Sequence, residues 1–190
     1  DLSRAPGTNF FNDLAVDGSG SVYSVGTIDN TYGSYSQQVY SNLYSYGAVT
    51  GSPFKKFISQ SNPASDILIA KTNSSGSIQW ASNVSSDGRD WGASAVYTAN
   101  GLYAFGTFSG SVCTIWNAAA TASSTLNRVG LADGFCAQYN SSTGAIIATK
   151  QFSTAGTFTG VCSAVADSAG NIYVVTVEGT NTTTFNVCLL

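Results

Sequence analysis

Histidine and methionine are absent from this chain of 190 residues, and Glu178 is its one glutamate. Without histidine there is no Ser-His-Asp triad and no histidine-bearing zinc site. With one glutamate, the carboxylate pair of a glycoside hydrolase would have to come from aspartates scattered over turns, and no pair of them stands out. Charged residues make up only 9% of the chain, against about 25% in an ordinary globular domain. Seven Lys and Arg and a net charge of −3 leave nothing to hold a phosphate backbone or an anionic membrane. Lys55-Lys56 is the sole adjacent basic pair and fits a solvated loop. No run approaches the ~20 apolar residues of a spanning helix. The glycine-rich stretches precede no helix, so none is a phosphate loop. These absences predict no enzyme, no cofactor, no bound metal, no nucleic acid and no membrane insertion.

What is present is repetition. LAVDGSGSVYSVGT at 14–27 returns as SAVYTANGLYAFGT at 94–107 and AVADSAGNIYVVTV at 164–177. DILIAKTNSSGSIQW at 66–80 returns as DGFCAQYNSSTGAII at 133–147, and TFNVCLL at 184–190 is a shortened echo. Each pattern is β-formers, then a polar turn such as Asp17-Gly18-Ser19-Gly20 or Asn73-Ser74-Ser75-Gly76, then β-formers again, which predicts a hairpin. No segment has a capped helical period. Two hairpins make a unit of four strands, A to D. The first unit has strands near 11–17, 21–28, 66–72 and 77–84. The second has them near 91–98, 101–108, 133–139 and 145–152. The third has 160–166, 171–178 and 184–190, with no fourth. Length differences fall between strands B and C, as a long Tyr-rich insertion at 29–62 and a shorter one at 109–132.

The expectation is a single all-β domain over 1–190, built of repeated four-stranded antiparallel units near 9–86, 87–155 and 156–190. About two and three-quarter units are present, with a β-sandwich as the alternative arrangement. Such units cannot each bury a core alone and must stack on one another.

The hairpin pair resembles the bacterial β-propeller repeat called SBBP. Asp66, Ala70, Lys71, Gly76 and Trp80 match its first half, and Val16, Asp17, Gly20, Val22, Tyr23 and Gly26 its second. In the second unit Gln138 replaces the Lys, Ile147 stands near the Trp position, and Tyr97 replaces the Asp. The resemblance implies secreted, β-rich, propeller-blade-like and mostly non-enzymatic proteins, and lends no catalytic residues. A ring usually needs four to eight blades, more than are counted here.

Four sequons, at Asn73, Asn83, Asn140 and Asn181, are glycosylation candidates. With low charge, an uncharged polar surface and an even cysteine count they predict an extracellular or cell-surface protein. Cys113, Cys136, Cys162 and Cys188 are disulfide candidates without C-x-x-C spacing. Cys113 with Cys136 across a hairpin would leave Cys162 with Cys188. That second pair fails if a third strand separates them, and free buried thiols are the alternative.

Two function classes follow. In the first, the chain is a structural subunit that self-associates into a homo-oligomer, filament or surface assembly. Strand pairing would use the open edge of the third unit, through Thr184, Phe185, Val187, Leu189 and Leu190. In the second, it is a secreted module that binds glycan or protein through Tyr32, Tyr35, Tyr40, Tyr44 and Tyr46 of the insertion, where Tyr, Ser and Gly mix as in binding loops. Asp87-Gly88-Arg89-Asp90 after Ser85 and Ser86 lacks the spacing of a calcium loop and fits a simple turn. Trp80, Trp91 and Trp116 could stack a sugar, though Trp80 at its repeat position fits the core better.

Overall fold

The computed structural model describes residues 10–29, 40–43, 55–58, 65–180 and 183–189. The described residues form fifteen strands and no helix. First in the chain come β1 (Phe10–Val16), β2 (Val22–Asp29), β3 (Tyr40–Leu43), β4 (Lys55–Ile58), β5 (Ser65–Thr72) and β6 (Ile78–Ser86). Then come β7 (Asp90–Thr98), β8 (Gly101–Phe108), β9 (Val112–Trp116), β10 (Ser123–Asn127), β11 (Asp133–Tyr139) and β12 (Ile146–Phe152). Last are β13 (Phe158–Ala166), β14 (Ile172–Gly179) and β15 (Thr183–Leu189). Every strand expected from the repeat lies within two residues of its observed bounds.

All named strand pairs are antiparallel, and no sheet closes on itself among the described residues. The first sheet has the order β1-β2-β5-β6-β9-β10, the second β12-β11-β8-β7, the third β13-β14-β15, and β3-β4 is a separate hairpin. β9 and β10 are the departure from expectation. They lie in the insertion of the second unit, yet β9 pairs with β6, placing Ile115 opposite Val84 and Cys113 opposite Ser86. The insertion therefore lengthens its neighbour's sheet and covers what would be an open edge of β6.

The sheets stack face to face. Side chains alternate across a strand, so β8 sends Leu102 and Ala104 toward the first sheet and Phe105 toward the third. Leu102 and Ala104 join a core with Val25, Ile67, Ile69 and Val84. Phe105 joins a second core with Val96, Val161, Ile172 and Val174. Burial on both faces explains why β8 and β11 read as nearly continuous apolar runs. Gly92 lets the first two sheets approach closely: a Cβ there would lie 2.8 Å from the Gly26 carbonyl oxygen.

The cysteines are corrected by this arrangement. Cys113 sits on the first sheet and faces its core, whereas Cys136 sits on the second sheet and faces the third. Both are free and buried, and Cys162 is free and exposed. The expected Cys113–Cys136 bridge is absent because β9 pairs with β6 instead of returning beside β11. Cys162 and Cys188 lie on β13 and β15 with β14 between them. Strands two places apart are about 9–10 Å apart, beyond the ~7 Å limit between bridged Cα atoms. Burial pushes the Cys136 thiol up to about 12 and raises Cys113 as well.

Thiol labelling checks this placement. In the native chain Cys162 is expected to react with a maleimide, while Cys113 and Cys136 react only after unfolding. A peptide joining Cys113 to Cys136 in a non-reducing digest would contradict the register.

Candidate functional site

The first strand of each of the three larger sheets carries a bulge at the same place. Pairing shifts between Phe11 and Asp13 in β1, between Gly92 and Ser94 in β7, and between Val161 and Ser163 in β13. The extra residues are Asn12, Ala93 and Cys162. A bulge interrupts the ladder and re-aims nearby groups. Here the amide just before it points out of its own sheet and is received by the preceding one. Thr27 Oγ1 accepts the N–H of Gly92 at 3.2 Å. Thr107 Oγ1 accepts the N–H of Val161 at 3.0 Å. The two threonines are equivalent, since their neighbours Gly26 and Gly106 pair with Phe11 and Gly92. The third copy has Val177 at this position.

One residue past the bulge, a second bond crosses each seam. Asp13 Oδ2 accepts from Ser94 Oγ at 2.7 Å and from the Ala95 N–H at 3.0 Å. Ser94 Oγ also lies 3.3 Å from the Ala164 carbonyl oxygen of the third sheet, so its one hydrogen, given chiefly to Asp13, is shared across both seams. Ser163 is the third residue of this series.

The A–B turns repeat as well. Asp17 Oδ1 accepts the N–H groups of Ser19 and Ser21 at 2.9 and 3.0 Å, and Oδ2 accepts the Tyr23 hydroxyl at 3.0 Å. Asp167 Oδ1 accepts from Ala169 and Asn171, both at 2.9 Å, and Oδ2 accepts the Tyr173 hydroxyl at 3.2 Å. Gly20 and Gly170 close these turns with φ of 78° and 86°, a region open mainly to glycine. The Ser19 hydroxyl, with the Ser21 amide and the Tyr23 hydroxyl, holds the Asp17 carboxyl well below the usual range. The Asn171 side chain, with the turn amides, lowers Asp167 in the same way. The middle turn is shorter: Tyr97 pairs with Leu102, and Thr98 Oγ1 accepts the Asn100 N–H. Thr98, not Tyr97, thus takes the place of Asp17.

Tyr97 instead stacks on Tyr23, with ring centroids 5.2 Å apart and planes 11° apart. Lys71 Nζ lies 5.1 Å over the Tyr23 ring and 3.8 Å from Asp17 Oδ2. Lys71 Nζ and Trp80 Nε1 both donate to the Ser141 carbonyl of the second sheet. By register, Ala148, not Ile147, takes the place of Trp80 in the second unit.

The decisive contrast is exposure. Tyr23 is 0% exposed and its third-sheet counterpart Tyr173 is 39% exposed, although both carry the same aspartate clamp. Val96 in the second sheet is buried, while its counterpart Val165 is 62% exposed. The third sheet thus presents, uncovered, the face that the first two sheets use for stacking. This face is the candidate functional site.

The other candidates resolve as follows. Trp80 lies in the core, Trp91 is exposed on β7 and Trp116 ends β9, so they share no platform. Asp87 turns to Ser111, while Asp90 is buried and accepts from the Ser86 N–H and hydroxyl, so the two do not converge on a cation. No metal-binding group forms among the described residues. Asn140 is exposed and Asn73 half-buried in their turns. Asn83 is buried within β6 at 7% exposure, which removes it as a glycan acceptor. Asn181, Tyr32, Tyr35, Tyr44, Tyr46 and Leu190 lie outside the described residues. Tyr40 is placed by its backbone, opposite Ile58. Thr184, Phe185, Val187 and Leu189 are paired along β15 with Glu178, Val177, Val175 and Tyr173. The bulge, the Thr27 and Thr107 acceptors and the Asp13–Ser94 link escaped sequence reasoning. Their signal was there: Gly-Thr closes the first two copies at 26–27 and 106–107, and Thr-Val the third at 176–177. No protein-family model matches the chain, and no curated protein matches it.

Two measurements probe these contacts. Thr107→Val leaves the Val161 amide unpaired in a buried seam and is expected to cost about 1–3 kcal/mol in urea unfolding. Asp17 has a depressed folded pKa against an unfolded value near 3.9. Its contribution is therefore full above about pH 4 and is lost as pH falls through the folded value. Asp17→Asn should be less stable than the parent at pH 7 and show a shallower loss of stability on acidification.

Proposed function

We propose that this chain is a non-catalytic structural subunit that works outside the cell by associating with copies of itself. Its sheets act as consecutive propeller-blade-like units of an incomplete stack. One observation carries the proposal: the stacking face that is buried twice within the chain stands open on the third sheet, around Val165 and Tyr173. An apolar face with a built hydrogen-bonding rim is what an interaction surface looks like. The edge of β15 away from β14 also has no strand beside it among the described residues, so strand addition there supports the same function.

The use of the polar residues agrees with this function. Asp13, Asp17, Asp133 and Asp167 each spend their oxygens on backbone, hydroxyl, amide or, for Asp17, ammonium groups of this chain that hold turns and seams. Placement outside the cell is supported by the low charge and by the sequons at Asn73 and Asn140 in outward turns.

Sedimentation velocity over a range of concentrations, with negative-stain imaging, tests the function. The expected outcome is a species of two or more chains that grows with concentration. A strictly monomeric particle throughout would overturn it.

A further inference from the structure

Stacking within the chain has a direction. Each sheet has a leading face, which meets the next sheet, and a trailing face, which meets the one before. Register assigns Asp13, Ala15 and Tyr23 to the leading face of the first sheet, Ser94, Val96 and Tyr103 to that of the second, and Ser163, Val165 and Tyr173 to that of the third. It assigns Phe11, Leu14 and Val16, then Gly92, Ala95 and Tyr97, then Val161, Ala164 and Ala166, to the trailing faces. The four inner sets are covered. Ala95 and Val96 are buried, Ala15 and Tyr97 pack on the first core, and Tyr103, Ala164 and Ala166 pack on the second. The two outer sets are open: Leu14 is 59% and Val165 62% exposed.

We infer that a second copy of this chain docks head to tail, its β1 trailing face seated on the leading face of β13 and β14. This inference rests on the self-association proposed above and adds the surfaces and their polarity. The occupant follows from the chain's own seams, where each leading face takes the first strand of a following sheet. Tyr23 meets Tyr97 in the first seam, and Tyr103 shares a core with Ala166 in the second. By the same register Tyr173 meets Val16 of the second copy, and Ser163 meets its Asp13 and Leu14 as Asp13 meets Ser94 and Ala95. The trailing face of the first sheet is already covered over β5 and β6, where Leu68, Ala70 and Ala81 are buried. The join is therefore confined to first strands, where the internal seams place their hydrogen bonds. Val177 supplies no hydroxyl, so the join lacks the threonine bond and is weaker than the internal seams. Two copies place six sheets in series, within the four to eight of closed rings, so a dimer is the expected stoichiometry.

Complementation tests the polarity. Val165→Asp disables the leading face and Leu14→Asp the trailing face. Both sites are exposed, and urea midpoints of the diluted chains should match the parent's. Each variant alone is expected to be monomeric, its apparent dissociation constant raised about tenfold or more. An equimolar mixture is expected to form a one-to-one dimer, because it alone contains an intact leading face and an intact trailing face. Self-association that survives Leu14→Asp but not Val165→Asp would overturn the inference in favour of a symmetric face-to-face join. Self-association that survives both would assign it to the β15 edge and also overturn the inference. A monomeric parent chain would instead remove the function proposed above.

Discussion

The stack depends on an amide that its own sheet cannot satisfy. The bulges in β7 and β13 turn the N–H groups of Gly92 and Val161 out of their ladders and into the seams. An unpaired amide there would cost about 1–3 kcal/mol. Thr27 and Thr107 on the preceding sheet accept these amides. The second and third sheets are thereby complete only with another sheet before them. Apolar burial supplies most of the driving force. The threonine bond favours the observed placement of each first strand, because it brings hydroxyl and amide together.

A molecule organised in this way places its chemistry in its joints. The aspartates close turns or bridge sheets, and Lys71 and Trp80 tie the first sheet to the Ser141 carbonyl of the second. Three copies of one motif then differ chiefly in what covers them. Tyr23 lies under Tyr97 and Tyr103 packs into the second core, while Tyr173, held by the same aspartate device as Tyr23, faces outward.

Much of this was legible in advance. Alternation around Asp17 and Asp167, and apolar runs at 67–70 and 135–137, fixed strand positions to within two residues, since a period of two is a local property. The aspartate turns were also local, spanning only the residues from Asp17 to Tyr23. What escaped involved choices between distant partners. β10, with only partly apolar Ser123–Asn127, carries no strong pattern, and nothing in Val112–Trp116 shows that β9 will pair with β6 across more than twenty residues. The cysteine pairing failed for that reason. Asn83 was misjudged because a sequon states composition and not depth.

The sequence by itself determined that this is an all-β chain of repeated hairpins, with turns closed by Asp17, Asn73, Asn140 and Asp167. Those features rest on backbone preference and contacts a few residues long. Only the tertiary structure decided which face of each sheet is covered, that Cys113 and Cys136 stay apart, and that Tyr173 is left open where Tyr23 is closed. The physical reason is that identical local patterns fold to identical strands, whereas exposure depends on what neighbours each strand. That neighbour is set by stacking across seams formed between residues 54 to 81 positions apart.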